Sequence, residues 1–536
     1  MKARDHFYNR LGLCILQTNS EFKGRVIPFL TFFLVSFAIY FVSLDFFFLV
    51  DTDDRAYIFQ NPYLQQMSLA NTAAIFSNLH YGDYLPVNLL SYSWDFTWSR
   101  FNPFGYRLTQ VFLHSLNACL LFAVLRLLKV SERACWVSVL VFAVHPVQVE
   151  SVVWISERKN LLSSFFILLS LWLYLRHAIS SRFRRDFYYL CLLSFSLALL
   201  SKSISVMLPC VFVLLDLLIL KRKRVVMEKV PFFLLSLLSG LATIASQGAL
   251  GAIREYTGGS ISVSLLYTLR VYWDYVVSLV FPFQLSPRYF FNDVSLTDPQ
   301  SLLAYLFFFG VCWFVVRSFR SSPVAVFAIG WFLLWLLPVS NLIPISVLRQ
   351  DRYLYLPSIA VIVMVSLWLE SLWQGQQKKL ANALIVGVLF FLGSLSFMHT
   401  FVYASERSYW QRVANHHPQN AYTQLEAGYY CEMADDIVCA EKRYRQTLAI
   451  NPKHSSALNN LGALMINRGR YEEAKAFLDK ALLTNPSDAI VYSNRILLAE
   501  KSGVGRENIP VWKKKVDLFK QMKKDKDLLL GKFRFR

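Results

Sequence analysis

Long apolar runs separated by short polar connections fill the first three quarters of the chain, and the last quarter is polar throughout. The runs cover residues 26–50, 108–128, 134–147, 161–175, 187–200, 204–220, 231–253, 302–316, 323–339, 353–373 and 380–403, eleven in all. A hydrocarbon core of ~30 Å is crossed by ~20 apolar residues in a helix. The pattern therefore predicts an all-α polytopic membrane domain over 26–403, its shorter spans extending past these limits. The first run is too long for a signal-peptide core and lacks a small-residue cleavage site, which makes it an uncleaved span.

A further stretch, 265–283, carries Arg270 and Asp274. Basic clusters stand at Lys129/Arg133, Arg182/Arg184/Arg185, 221–224, Arg317/Arg320 and Lys378/Lys379. With residues 1–25 in the cytoplasm, eleven crossings put every cluster on the cytoplasmic side, as the positive-inside rule requires. A twelfth crossing would put the last two clusters outside, so 265–283 is expected to be interfacial or re-entrant. The polar connections at 51–107, 148–160, 201–203, 254–301 and 340–352 then share the outer face with the C-terminal domain.

That domain has a period. His417-Pro418, Asn451-Pro452 and Asn485-Pro486 follow one another at intervals of 34 residues, the spacing of the tetratricopeptide repeat, a helix pair that buries its apolar face only by stacking on neighbours. In the best copy Leu458, Leu461, Gly462, Ala474, Leu478, Ala481 and Pro486 hold the expected large and small positions. The preceding copy keeps Gly428, Ala440, Tyr444 and Pro452, and Trp410 marks an isolated second helix upstream. Repeats are expected over 404–500, with a degenerate copy fading into a capping tail at 501–536. The repeats specify a protein-binding scaffold and leave the ligand open.

Composition changes little of this picture. Apolar residues make up 55% of the chain and mean hydropathy is +0.39. The formal charge of +20 lies largely in short loops, where it encodes topology, so nucleic acid is not an expected partner. The tail is a solvated basic face or a contact for anionic lipid head groups. Of eight cysteines, none forms a C-x-x-C pair, which leaves zinc and thiol-redox chemistry unsupported. Cys431 and Cys439 fall near one helix–turn–helix corner, as two buried thiols in preference to a disulfide.

The outer connections carry the candidate chemistry. The first opens on VDTDDRAYIFQNP and continues with LHYGDYLPVNLL and FNPFGYR. The second reads HPVQVESVVWISERKNLL, and the last NLIPISVLRQDRYLYLP. Taken locally, three carboxylates beside a span are ordinary loop solvation. In this order, however, the motifs resemble those of bacterial relatives of the transmembrane and tetratricopeptide-repeat-containing O-mannosyltransferases, over nearly the whole chain. The resemblance implies a GT-C class glycosyltransferase, which moves a sugar from a polyprenyl-phosphate donor to an acceptor on the outer membrane face.

By that resemblance the acidic pair maps onto Asp53 and Asp54, with Asp53 the catalytic base and Asp54 orienting acceptor or sugar; Asp51 lies outside the motif. Inverting transfer needs a base for the acceptor hydroxyl and fixed cations for the donor phosphate. Arg352 and Arg158 are the motif-supported cations and Lys202 the next. Lys159, Arg288 and Arg349 are further candidates, Arg288 reading better as a snorkelling side chain. Proline breaks the helix at HPVQVE, which would turn His145, Gln148 and Glu150 inward, Glu150 to bind sugar hydroxyls or orient Asp53 and His145 as support. Asp83, in GDYLPV, is a further substrate-binding candidate. Relatives read GDYRPL there, so Leu85 replaces an arginine. No metal-ligand spacing is present, although a divalent ion could bridge Asp53, Glu150 and phosphate. His114 and Asn117, within a span, are expected to bond neighbouring helices.

The expected function is sugar transfer to a hydroxyl of a protein acceptor recruited by the repeats. The expected location is a bacterial inner membrane with periplasmic repeats, or the endoplasmic reticulum with lumenal repeats. Two alternatives remain open: the same donor serving a lipid or surface polymer, and a non-catalytic envelope scaffold.

Overall fold

The computed structural model describes residues 27–64, 67–79, 84–180, 184–222, 226–249, 255–291, 295, 297–344, 347–374 and 378–534. Asp83, the stretch 1–25 and parts of two basic loops lie outside them. Among the described residues there are helices and no strands. The chain divides into two compact units, Met1–Leu285 with Phe291–Ser405, and Ser286–Phe290 with Glu406–Arg536.

In the first unit every apolar run is helical over most of its described residues. The order is α1 (Ile27–Asp45), α2 (Leu69–Ser77), α3 (Pro86–Ser99), α4 (Pro103–Leu127), α5 (Glu132–Val144), α6 (Val149–Val153), α7 (Arg158–Ile179) and α8 (Arg185–Leu199). Then come α9 (Ser203–Leu220), α10 (Val226–Ala249), α11 (Ile261–Val280), α12 (Pro299–Ser318), α13 (Pro323–Leu336), α14 (Ser358–Gln374) and α15 (Lys378–Thr400). By length and composition seven helices among the described residues are apolar enough to cross a membrane, and eight if α5 and the bent segment Pro146–Val153 form one broken span. The apolar helices at Pro323–Val339 and Ser358–Trp373 are shorter. The protein is thus multi-pass.

The stretch expected to stop short of a crossing is the helix α11, which is not among those seven. Its charges are matched. Arg270 Nε pairs with Asp274 at 3.0 Å and Arg270 Nη1 with Asp298 at 3.0 Å, while Arg349 reaches Asp274 at 3.2 Å. Charges at membrane depth are tolerated when paired in this way. His114 Nδ1 lies 2.8 Å from the Tyr355 hydroxyl, and Asn117 donates to Tyr355 and to the Leu161 carbonyl, each at 3.0 Å. The polar residues of α4 therefore tie it to neighbouring segments, as expected.

FNPFGYR is a tight corner between α3 and α4. Asn102 caps α4 by accepting from Phe104 N at 3.0 Å, with Pro103 at the first helical position, where its missing N–H costs nothing. Gly105 is required: a Cβ there would stand 2.5 Å from Ser99 Cβ.

The second unit is a stack of antiparallel helices, α16 (Glu406–His416), α17 (Ala421–Met433), α18 (Ile437–Ile450), α19 (Ser455–Asn467), α20 (Tyr471–Thr484), α21 (Ala489–Ser502) and α22 (Ile509–Arg534). The expected small positions mark close approach. A Cβ on Gly428 would meet Tyr444 at 2.7 Å, and one on Gly462 would meet Leu478 at 2.7 Å. Trp410, in α16, is buried, and Arg288 lies over its ring at 5.4 Å. The last helix, α22, packs on α21, with Arg495 over Trp512 and Lys515 Nζ 3.1 Å from the Tyr492 hydroxyl.

Cys431 and Cys439 are joined as a disulfide, not held as two thiols. The turn between α17 and α18 decides it. Asp435 adopts a left-handed conformation (φ 57°), and the two Cα atoms end 5.7 Å apart, within bridging reach. Spacing alone did not reveal that turn. Alkylation of unfolded protein should therefore label two more cysteines after reduction than before it, and the increment should vanish in Cys431→Ser/Cys439→Ser, as read by intact mass.

Candidate active site

Past α1 the chain runs extended from Phe46 and turns at VDTDD, and three groups hold it there. Arg107, fully buried near the start of α4, donates through Nε to the Phe46 carbonyl (3.1 Å), through Nη2 to Phe47 (2.7 Å) and through Nη1 to Val153 at the end of α6. The Asp54 carboxylate, also fully buried, accepts from Leu49 N at 3.0 Å, from Ser156 N at 3.0 Å and from Ser156 Oγ. Burial pushes Asp54 up to about 6, against the opposing pull of the Ser156 hydroxyl, Arg107 and the two amides. It is a carboxylate at neutral pH, spent on holding the loop.

Asp54 and Asp53 therefore face opposite ways. Asp53 is half-buried and, among the described residues, takes part in none of the ion pairs. It is close enough to Arg352 for its negative charge to reinforce that guanidinium. The orienting contact with acceptor or sugar expected of Asp54 is not available to a side chain sealed on Leu49 and Ser156.

Beside Asp53 stands a cluster from three distant stretches of chain. Arg352 Nη1 pairs with Glu150 Oε1 at 2.7 Å and its Nε with Glu157 Oε1 at 3.2 Å, while Arg352 N donates to Glu150 Oε2 at 2.8 Å. Lys202 Nζ is 3.4 Å from Glu157 Oε2 and 3.2 Å from Asn160 Oδ1. Lys159 Nζ lies 3.9 Å from Glu157 and 5.1 Å over the Tyr57 ring. The carboxylates form the floor, with 0% of either side chain exposed, and the cations form the rim, at 12% for Arg352, 13% for Lys159 and 14% for Lys202. Trp154 and Tyr353 flank Arg352, their ring centroids 5.2 and 5.5 Å from its guanidinium carbon.

The three cations hold the partly exposed edge above the buried Glu150 and Glu157, and the Asp53 charge lies next to them. Burial drives Lys202 down to about 8 although Glu157 opposes it. Burial also disfavours the charge on Arg352, but Glu157 and Glu150 outweigh it and hold the guanidinium more firmly protonated than usual. Such an arrangement offers an anion fixed donors next to an available carboxylate.

Other expected site residues point elsewhere. Arg158 is fully buried, paired with Asp95 and donating to the Tyr106 carbonyl at 2.8 Å. It braces α3 against α7, and Glu157, Lys159 and Asn160 are the members of SERKN that reach the cluster. The proline break in HPVQVE bends the chain by 53° but turns only Glu150 inward. Gln148 donates to Ser358 Oγ at 3.0 Å, and His145 Nε2 lies 3.0 Å from the Leu279 carbonyl. Arg349 pairs with Asp274. Both Glu150 oxygens are engaged by Arg352. Leu85 is buried at the start of α3, and Val87 N donates to the Leu200 carbonyl at 3.3 Å. That contact lays residues 85–87 beside the turn carrying Lys202.

Residues 433–494 match the tetratricopeptide repeat model. Protein O-mannosyl-transferase Tmtc3 of Drosophila melanogaster is 24% identical over 510 residues, covering 77% of this chain and 53% of its own length. Its human counterpart TMTC3 is 23% identical over 456 residues, covering 77% of this chain and 50% of that protein. The chain is similar in sequence to protein O-mannosyl-transferases over about three quarters of its length. It spans about half the length of these curated O-mannosyl-transferases. Among solved structures, ArnT from Cupriavidus metallidurans bound to undecaprenyl phosphate aligns over 90% of this chain and 78% of its own, at 15% identity and a TM-score of 0.39. That likeness is too loose to transfer fold detail or ligand.

Asp54→Asn would set an amide against the Leu49 and Ser156 donors. It should destabilise the protein by ~2–4 kcal/mol, the cost of breaking a buried charged hydrogen-bond network. Ser156→Ala should cost ~1 kcal/mol. Thermal melts of full-length protein in detergent read both.

Proposed function

We propose that this protein is a membrane glycosyltransferase of the GT-C class. In this reading it moves a sugar from a polyprenyl-phosphate carrier to a hydroxyl of a protein acceptor on the outer membrane face. The observation that carries the reading is the half-buried Asp53 carboxylate beside a rim of three cations. The relatives' name supports mannose as the sugar and an oxygen as the acceptor atom, and the repeats support a polypeptide acceptor.

The chemistry follows from the two halves of the site. Asp53 takes the proton of the acceptor hydroxyl as its oxygen attacks the anomeric carbon. The bond from that carbon to the phosphate oxygen breaks, and the electron pair leaves with the phosphate. Lys159, Lys202 and Arg352 receive the charge that develops there, where partial burial strengthens each contact. Glu150 and Glu157 set the cations in place, and Trp154 and Tyr353 offer faces for the sugar ring. Asp54, Ser156 and Arg107 act through the loop as positioning residues. Lys202 stands in for the arginine that Leu85 replaces. With the basic loops in the cytoplasm, this site and the repeats face the periplasm of a bacterial inner membrane.

Purified protein given labelled polyprenyl-phospho-sugars and envelope extract should place label in protein. Asp53→Asn should lower the rate by ~10²–10⁴, the range for a lost general base, without weakening donor binding. Equal transfer by the variant would overturn the assignment. Label confined to the lipid fraction would move the acceptor to a lipid, and no transfer from any donor would leave a scaffold.

The pH profile has a defined sign. Lys202 is protonated below about 8, so donor binding should be retained below that pH and weaken as pH rises through it. Lys202→Arg, charged throughout, should shift the loss to higher pH in a direct donor-binding titration.

A further inference from the structure

α4 is 25 residues long, about 37 Å at the helical rise, so it carries its two ends a membrane thickness apart. Arg107 and the candidate active site belong to its first turns. Against its last turns lies a different feature, a partly open cavity of ≈ 440 Å³ lined by α4, α7, α9, α13 and α14. Its walls are apolar, with Leu121, Leu168, Leu215, Phe327, Trp331 and Met364 among them. The charged and hydroxyl groups on its lining are Lys129, Ser131 and Glu370. Lys129 and Ser131 form the α4–α5 turn, and Glu370 sits in the last turn and a half of α14, so all three belong to one end of the cavity.

These groups are not used up by the fold. Neighbouring charges are: Arg126 pairs with Glu132 at 3.3 Å, and Arg133 lies 3.4 Å over the Trp373 ring. Lys129 and Glu370 have no ion-pair partner among the described residues. Ser131 Oγ accepts from Ala134 N at 3.2 Å and keeps its proton to donate. Lys129 also holds a left-handed backbone (φ 61°), a turn that glycine or asparagine would make at lower cost.

An apolar cavity of this kind excludes water and takes hydrocarbon, and the surrounding medium of this unit is a bilayer. The mouth adds a cation with a hydroxyl donor on one side and a half-buried carboxylate on the other. We propose that the cavity binds one acyl chain of an ethanolamine phospholipid, its phosphate received by Lys129 and Ser131 and its ammonium by Glu370. A glycerol head group would leave the Glu370 carboxylate unpaired in a poorly hydrated place, which is costly. A choline head group has no N–H to donate to it. Small side chains make the room: Ala328 and Ala360, on α13 and α14, also line a second apolar cavity of ≈ 310 Å³. The site is independent of sugar transfer.

Native mass spectrometry of the full-length protein in detergent, with equal concentrations of dioleoyl phosphatidylethanolamine, phosphatidylglycerol and phosphatidylcholine, tests this. Wild type should retain phosphatidylethanolamine about fivefold better than either of the others, the size of one interfacial charge contact. Lys129→Ala should weaken retention of phosphatidylethanolamine and phosphatidylglycerol alike. Glu370→Gln should erase the preference between them. Unchanged melting temperatures will show that both variants fold. Equal retention of all three lipids, a preference for phosphatidylglycerol, or a preference unmoved by both variants would each overturn the proposal.

Discussion

The buried carboxylate of Asp54 is the contact on which the candidate site depends. It gathers the Leu49 amide from the chain leaving α1 and the amide and hydroxyl of Ser156 from the turn before α7. Two stretches 102 residues apart in sequence are thereby fixed to one point. Removing a carboxylate from water is expensive, and burial raises Asp54 accordingly, so the contact persists because its donors are all supplied. Arg107 completes it by drawing the Phe46, Phe47 and Val153 carbonyls together. The consequence is local and chemical: with Asp54 turned inward, the adjacent Asp53 is left at the edge of the cation cluster.

That cluster solves a second problem of charge in a poorly hydrated place. Three cations packed together would repel one another, and two carboxylates buried alone would protonate. Placed as rim and floor, each set makes the other affordable. Glu157 is the hinge of this arrangement because Arg352, Lys202 and Lys159 all approach it. The result is pre-set for an anion, since the donors need no rearrangement to meet one.

The two charged systems of the first unit differ in what they leave over. Around α11, Arg270, Arg349, Asp274 and Asp298 match one another closely, and the helix is held without a residual field. Around Glu157 the cations keep a partly exposed rim above fully buried carboxylates. At the α4–α5 end, Lys129 and Glu370 flank an apolar cavity without an ion-pair partner among the described residues. Charge left at an exposed edge, more than charge itself, separates the candidate binding places from the struts.

The apolar pattern by itself determined the helices, because a bilayer admits few other ways to satisfy a backbone. A 34-residue period likewise determined the repeat stack, since Gly428 and Gly462 are needed wherever paired helices touch. Motif order also singled out Asp53, Glu150 and Arg352, and its place between two apolar runs added Lys202; the fold brings these four to one place. Direction was not legible. Arg158 and Lys159 are adjacent and chemically alike, yet a helix points successive side chains about 100° apart, and one braces Asp95 while the other reaches Glu157. The roles of Arg107 and Ser156 and the bridging of Cys431 to Cys439 were equally hidden, each set by a turn or a partner far along the chain. Asp53 and Asp54 are the plainest case: one sequence step separates a sealed strut from an available carboxylate, and only tertiary contacts with Leu49 and Ser156 decide which is which.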